Sequence, residues 1–137
     1  MVLRGISYYI DFENFAEGRE KAMTPVGDTL ANVMLKKAVY DYKRNYAVLK
    51  KIGITSDVIE DDTMLAAYLL DPSRNKYEIE ALANEATGAE ASASIPEGWT
   101  ENQWRTAEAA DFTIQTAPVL RKRIFEQGID KVYREME

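Results

Sequence analysis

Residues 62–74 read Asp62-Thr63-Met64-Leu65-Ala66-Ala67-Tyr68-Leu69-Leu70-Asp71-Pro72-Ser73-Arg74. The run from Thr63 to Leu70 is apolar on nearly every side of a helix, which predicts a short helix over 63–70 buried from several directions. Glu60, Asp61 and Asp62 precede it, where negative charge suits the N-terminal end of a helix dipole. Asp71-Pro72-Ser73 stops it, because the residue before a proline avoids the helical region. Tyr68, in the middle of the run, is expected to be structural. A helix this apolar needs other layers around it.

Those layers are predicted on both sides. Upstream, residues 3–12 (LRGISYYIDF) are aromatic and β-branched, as a strand requires. Glu13 to Pro25 reads as a loop, and Asp28 as the cap of a short helix carrying Leu30, Val33, Met34 and Leu35, with Lys36 and Lys37 in its last turn. Ala38-Val39-Tyr40 is too short to classify. Asp41 caps a further helix with Tyr42, Tyr46, Leu49 and Ile52 on one side, closed by Gly53. Residues 54–59 suit a short edge strand. Downstream come a helix from about Lys76 to Ala86, a small-residue loop over 89–98 expected to be mobile, and a long helix from Thr100. That helix should kink at Pro118 and break at Gly128, leaving a last amphipathic turn or two over 129–136.

Composition limits the chemistry. The chain has 137 residues and 15.5 kDa, with 17 Lys+Arg against 23 Asp+Glu, a formal charge of -6, and neither His nor Cys. Cys/His zinc sites, Ser-His and Cys-His pairs, and disulfides are therefore excluded. Catalysis would have to run on carboxylates, Lys, Tyr or a hard metal held by oxygen. Residues 1–137 suit one domain, with about 7,200 Å² of surface expected for the folded chain. No apolar run approaches the length of a membrane span and no signal peptide is recognisable, so a cytoplasmic protein without a membrane partner is expected. The acidic balance argues against a free-standing, non-specific nucleic-acid binder.

The segment from Asp62 to Arg74 closely resembles the FDTMLAAYLLxPxR segment of the 3′-to-5′ exonuclease domain of bacterial family A DNA polymerases, the DNA polymerase I group. Two further stretches agree in order and spacing. Tyr40-Asp41-Tyr42-Lys43 through Leu49, Gly53 and Ile54 is similar to the second exonuclease block, and Ala107-Glu108-Ala109-Ala110-Asp111-Phe112-Thr113 to the third. The stretch from Ile129 to Glu137 resembles the junction into the polymerase domain, which is then expected downstream of Glu137. The resemblance implies an α/β, ribonuclease-H-like fold, a mixed sheet with flanking helices. It also implies four acidic residues around two divalent ions, Mg²⁺ or Mn²⁺, with a Tyr four residues before the last Asp to position water.

This sequence departs from that site. The acid of the second block falls on Asn45, with Asp41 one turn earlier. The Tyr and Asp of the third block fall on Arg105 and Ala109, while the neighbouring Glu108 and Asp111 point roughly 100° and 200° away from position 109 on a helix. The guanidinium of Arg105 would oppose a cation. Asp11-Phe12-Glu13 fits the short Asp-x-Glu pattern of the first block, but too few residues separate it from Asn45 for the intervening strands and helix. Tyr8-Tyr9-Ile10 then reads as a later strand, Asp11 and Glu13 as its solvated end, and the domain as lacking its first strands. An exposed sheet edge would favour dimerisation.

The expected function is a catalytically inactive exonuclease-like domain, structural in DNA replication and repair, reaching DNA through the remainder of a polymerase and needing no cofactor. Lys43 and Arg44 are candidate DNA contacts, whereas Arg121-Lys122-Arg123 reads as a solvated face. One alternative is an active two-metal 3′-to-5′ exonuclease on single-stranded DNA using Asp11, Glu13 and a displaced acid. Another is a stand-alone interaction module that keeps the fold.

Overall fold

The computed structural model describes residues 2–3, 6–14, 17–54 and 59–136. Two short strands, β1 (Val2–Leu3) and β2 (Ile6–Ser7), pair antiparallel, with Val2 opposite Ser7. Helix α1 spans Arg19–Ala31, β3 Ala38–Val39, α2 Tyr42–Lys51 and β4 Asp61–Asp62. There follow α3 (Thr63–Leu70), α4 (Ile79–Thr87), α5 (Glu101–Glu126) and α6 (Asp130–Met136). Strand β3 pairs parallel with β4, Ala38 opposite Asp61 and Val39 opposite Asp62, so β3–α2–β4 is a minimal parallel crossover unit.

Among the described residues the strands thus form two separate two-stranded pieces, where a single mixed sheet is expected. Extended pairing stops at Ser7, so the strand over 3–12 is also shorter than its composition suggests. Residues 8–11 are irregular and 12–14 bend, because the Asp11 carboxylate accepts the N–H groups of Glu13 and Asn14. The edge strand expected over 54–59 falls mostly on 55–58, outside the described residues.

Helix α1 corrects a second expectation. It begins six residues before Pro25 and contains it, and Asp28 lies in its last turn rather than at its cap. The proline sits in the middle of a helix whose surroundings are open, so the carbonyl left without its N–H partner can be hydrated. Only Ala22 of α1 is buried, and Val33 and Met34 beyond its end are exposed. The accessible surface of 9293 Å² exceeds the expected value.

The core lies among α3, α4 and α5. Ala66, Ala67, Leu82, Leu120, Ile124 and Tyr133 form one buried cluster; Ile79, Ala83 and Phe112 form another; Tyr40 packs against both. The alanines of α3 let α5 approach closely, so the helix over 63–70 is buried on that side. Its Tyr68 is nevertheless 47% exposed and stacks edge-on against Tyr77, with ring centres 5.9 Å apart. Helix α5 starts with a capping box between Thr100 and Gln103 and runs unbroken through Pro118 for 26 residues, about 39 Å. Exposure of Ile114 leaves the carbonyl freed by Pro118 open to water.

Two glycines end helices in one way. Gly53 (φ 81°) donates to Lys50 O while Ile54 donates to Leu49 O; Gly128 (φ 73°) donates to Phe125 O while Ile129 donates to Ile124 O. These are paired Schellman bonds, and the positive φ is the reason for glycine at each position. The second one turns α5 into α6 and places Tyr133 in the core.

Candidate functional site

Three places matter: the start of α2, the first half of α5, and the turn over 11–14. At the start of α2, Asp41 has left-handed backbone angles (φ 60°, ψ 70°) and its carboxylate accepts the Arg44 N–H at 3.4 Å. Asp41 therefore serves as the helix cap, as its position suggests. Asn45 is exposed and its amide donates to Tyr40 O at 2.7 Å.

Asp62 joins this region to the core. Its Oδ1 accepts the N–H groups of Met64 and Leu65, at 3.1 and 3.2 Å, and that of Asp41 at 3.1 Å. Its Oδ2 accepts Tyr42 N–H at 2.9 Å. One carboxylate thus caps α3 and also holds the entry to α2. The Tyr133 hydroxyl accepts the Asp62 N–H at 2.8 Å and reaches Asp61 Oδ1 at 3.3 Å. Burial, opposed next by the Arg121 charge, leaves the Asp61 carboxyl above its ordinary range. An open cleft of about 470 Å³ adjoins these groups, walled by Asp41, Tyr42, Lys43, Met64, Leu65 and Tyr68 among others.

The three acids ahead of α3 divide their work. Asp62 caps the helix, whereas Glu60 pairs with Arg121 at 2.7 Å and Lys36 at 3.6 Å, and Asp61 with Arg121 at 3.7 Å. Arg121 stays exposed and also bridges α5 to Glu60 and Asp61 at the start of β4, while Lys122 on the same solvated face lies 4.0 Å from Glu126.

On α5, Arg105 and Glu108 lie one turn apart and share a task. Arg105 Nη1 donates to Glu108 Oε1 at 2.8 Å, and its Nη2 donates to the Ser92 carbonyl at 2.9 Å. Glu108 Oε2 accepts the Ser92 hydroxyl and N–H at 2.7 and 3.0 Å. Burial alone would raise the Glu108 carboxyl, but these bonds from Ser92 and Arg105 outweigh it and hold the group below its ordinary value. The irregular segment over 89–98 is thereby pinned at Ser92 to the helix. Ala109 brings no donor atom beyond its backbone, and its carbonyl accepts the Thr113 hydroxyl at 2.8 Å. Asp111 accepts from Gln115 Nε2 at 2.8 Å. The Ser7 hydroxyl donates to Ala107 O and seats β2 against this part of α5.

In the turn over 11–14, the Asp11 carboxylate is held below its ordinary value, first by the Asn14 amide at 2.8 Å. Glu13 pairs with Arg19 at 3.1 Å. Each acid near the three blocks is thus engaged by its own neighbours. Among the described residues no three acidic side chains gather where a cation could sit. The donor set does not fit two divalent ions: an amide stands at 45, a methyl at 109 and a guanidinium at 105. What the sequence did not reveal is the clamp on Ser92, because its partners are 13 and 16 residues apart and nothing local marks them.

A family model described as DNA polymerase I, ribonuclease H-like domain, matches residues 6–93. The match covers β2, the α2 and α3 blocks and α4, and stops before Arg105. Among solved structures, the POL domain of Pol1 from M. smegmatis, in a complex with DNA primer-template and dNTP, superposes with a TM-score of 0.70 and 22% identity. That likeness covers 90% of this chain and 20% of the other, so the chain spans about a fifth of that neighbour's length. A comparison with curated proteins gives no match. With well over half of its residues matched, and with the crossover unit and buried α3 in place, the chain belongs to the family of ribonuclease H-like domains of DNA polymerase I.

Proposed function

We propose that this domain is a catalytically silent exonuclease-like part of a DNA polymerase I, kept as a scaffold in DNA replication and repair, with a polymerase domain following it. The observation that carries this reading is the Arg105–Glu108–Ser92 clamp. It puts a fixed positive charge where the resemblance calls for a water-positioning Tyr, and it uses the nearest acid to hold a loop. A cation approaching Glu108 would have to displace a guanidinium at 2.8 Å and two bonds from Ser92. The methyl of Ala109 and the amide of Asn45 offer no negative charge in exchange. Lys43 and Arg44, exposed on α2, are the DNA contacts in this reading.

The test is release of mononucleotides from a 3′-labelled single-stranded oligonucleotide with Mg²⁺ and, separately, Mn²⁺. No metal-dependent release is expected. Stepwise shortening that is abolished by a chelator and by Asp11→Ala or Asp111→Ala would overturn the reading in favour of an active exonuclease.

A further inference from the structure

The segment between α4 and α5 is fixed at both shoulders and almost free between them. On the α4 side the Gly88 N–H donates to Asn84 O at 2.9 Å, and Asn84 Nδ2 donates to the Ala89 carbonyl at 3.2 Å. On the α5 side Trp99 stacks edge-on against Trp104, with ring centres 5.3 Å apart, and Thr100 opens the helix through its capping box. Among the described residues, Ser92 is the only one of residues 90–97 with a hydrogen bond to either helix. Glu90, Ala91, Ala93, Ser94, Pro96 and Glu97 are exposed.

Each shoulder meets the segment at a glycine of positive φ, 76° at Gly88 and 87° at Gly98. Nothing lies within 4 Å of the place where a Cβ would stand at either one. Glycine is therefore there for its backbone angles and not for close packing, and its surroundings leave it room to turn. Two such points at the ends of one segment are hinges.

The latch between the hinges is strong for a single residue. Arg105 and Glu108 engage the N–H, O–H and C=O of Ser92, at 3.0, 2.7 and 2.9 Å. Hydrogen bonds to charged groups are stronger than neutral ones, as holding this segment at one point requires, because its backbone regains freedom when that point lets go. Closed, the segment leaves the Glu108 side chain only 10% exposed, and Ala89 packs with Ala109 against Ile79, Ala83 and Phe112.

We propose that residues 89–97 are a hinged strap, closed by the single latch at Ser92, which opens while the helices stay folded and controls access to the α5 face carrying Arg105, Glu108 and Ala109. The closed strap is an autoinhibitory contact, since anything that binds this face must first displace Ser92. The proposal rests on the scaffold reading for its choice of this face as the lost site, and it adds a closed cover to the missing acids.

Native-state hydrogen exchange of the 137-residue chain, followed by NMR across urea concentrations below unfolding, follows the latch at the Ser92 N–H and the core at the Leu120 N–H. The Ser92 N–H should be protected, yet exchange roughly a hundredfold or more faster than Leu120 and with almost no dependence on urea, because opening a strap exposes little surface. Two substitutions separate strap from core. Ser92→Ala removes the hydroxyl bond to Glu108 and should speed exchange at position 92 about tenfold. Tyr133→Phe weakens the core and should speed Leu120 about tenfold while leaving position 92 unchanged. The chain has no cysteine, so Ala109→Cys provides a single thiol for labelling with iodoacetamide, with circular dichroism confirming the fold. Its labelling should quicken with Ser92→Ala by the same factor as exchange at position 92, and should not respond to Tyr133→Phe.

Exchange at position 92 that matches Leu120 in rate and urea dependence overturns the proposal, because the strap would then open only with the core. So does an unprotected Ser92 N–H, or labelling at position 109 that ignores Ser92→Ala. Metal-dependent nucleotide release by the parent, with the exchange pattern as expected, would sink the scaffold reading alone; an unprotected Ser92 N–H with no release would sink the strap alone.

Discussion

Replacing Asp62 by alanine and by asparagine separates its two duties. The carboxylate accepts four backbone N–H groups, two at the start of α3 and two at the entry to α2. Alanine removes all four acceptances. Loss of the cap on α3 costs about 1 to 2 kcal/mol, and leaving the Asp41 and Tyr42 N–H groups without their acceptor costs about 1 kcal/mol each. The open cleft beside Asp62 admits water, which keeps the second figure at the low end. Asp62→Ala should therefore lose about 3 to 4 kcal/mol. Asparagine caps a helix as well as aspartate does, but it turns an N–H donor toward Tyr42, so Asp62→Asn should lose only about 1 to 2 kcal/mol.

At roughly 2.1 cal/mol/K per residue, these losses lower the melting temperature by about 10 to 14 °C for alanine and by about 3 to 7 °C for asparagine. Urea unfolding at neutral pH, followed by circular dichroism, provides the assay, with an unchanged m-value required for the comparison. An alanine variant within 1 kcal/mol of the parent would refute the hub. If asparagine proved as damaging as alanine, the contribution from capping α3 would be wrong, and the link to α2 would hold all of the energy.

Three further outcomes follow from the clamp on Ser92 and from Tyr133. Glu108 is held below its ordinary value of 4.5, so its contribution is complete above that pH and is lost as the pH falls through the lower, folded-state value. The stability gap between the parent and Glu108→Gln should accordingly be about 1 kcal/mol at neutral pH and close in acid. In the same variant, proteolysis within residues 89–98 should quicken; an unchanged rate would mean that Ser92 is held by other means. Tyr133→Phe removes the hydroxyl that accepts the Asp62 N–H in the core and should cost about 1 to 3 kcal/mol, read by urea unfolding. A cost below 0.5 kcal/mol would show that water replaces the hydroxyl there.

Much of the second half was legible because its signals are local. The bounds of α3, the start of the long helix at Thr100 and the break at Gly128 each depend on a few neighbouring residues. The first half was less legible for the opposite reason. A polar segment with Pro25 and Gly18 looks like a loop, yet α1 forms across it. An aromatic run over 3–12 looks like one strand, yet an Asx turn at Asp11 competes for its end. The candidate site divides in the same manner. The amide at 45, the guanidinium at 105 and the methyl at 109 are visible as letters. What Arg105 and Glu108 do instead is not, since their partner lies in a separate loop.

By itself the sequence determined the helical punctuation, the absence of thiol and imidazole chemistry, and the α3 segment on which the family resemblance rests. These depend on residue identity and on spacing within one or two turns of chain. Only the tertiary structure decided that Asp62 would hold two helices, that Arg121 would pair with Glu60 and Asp61, and that Arg105 and Glu108 would turn their charge to Ser92. Each of those is a pairing of groups distant in the chain, and a charge chooses its partner by distance in space and by burial, neither of which is written in any one segment.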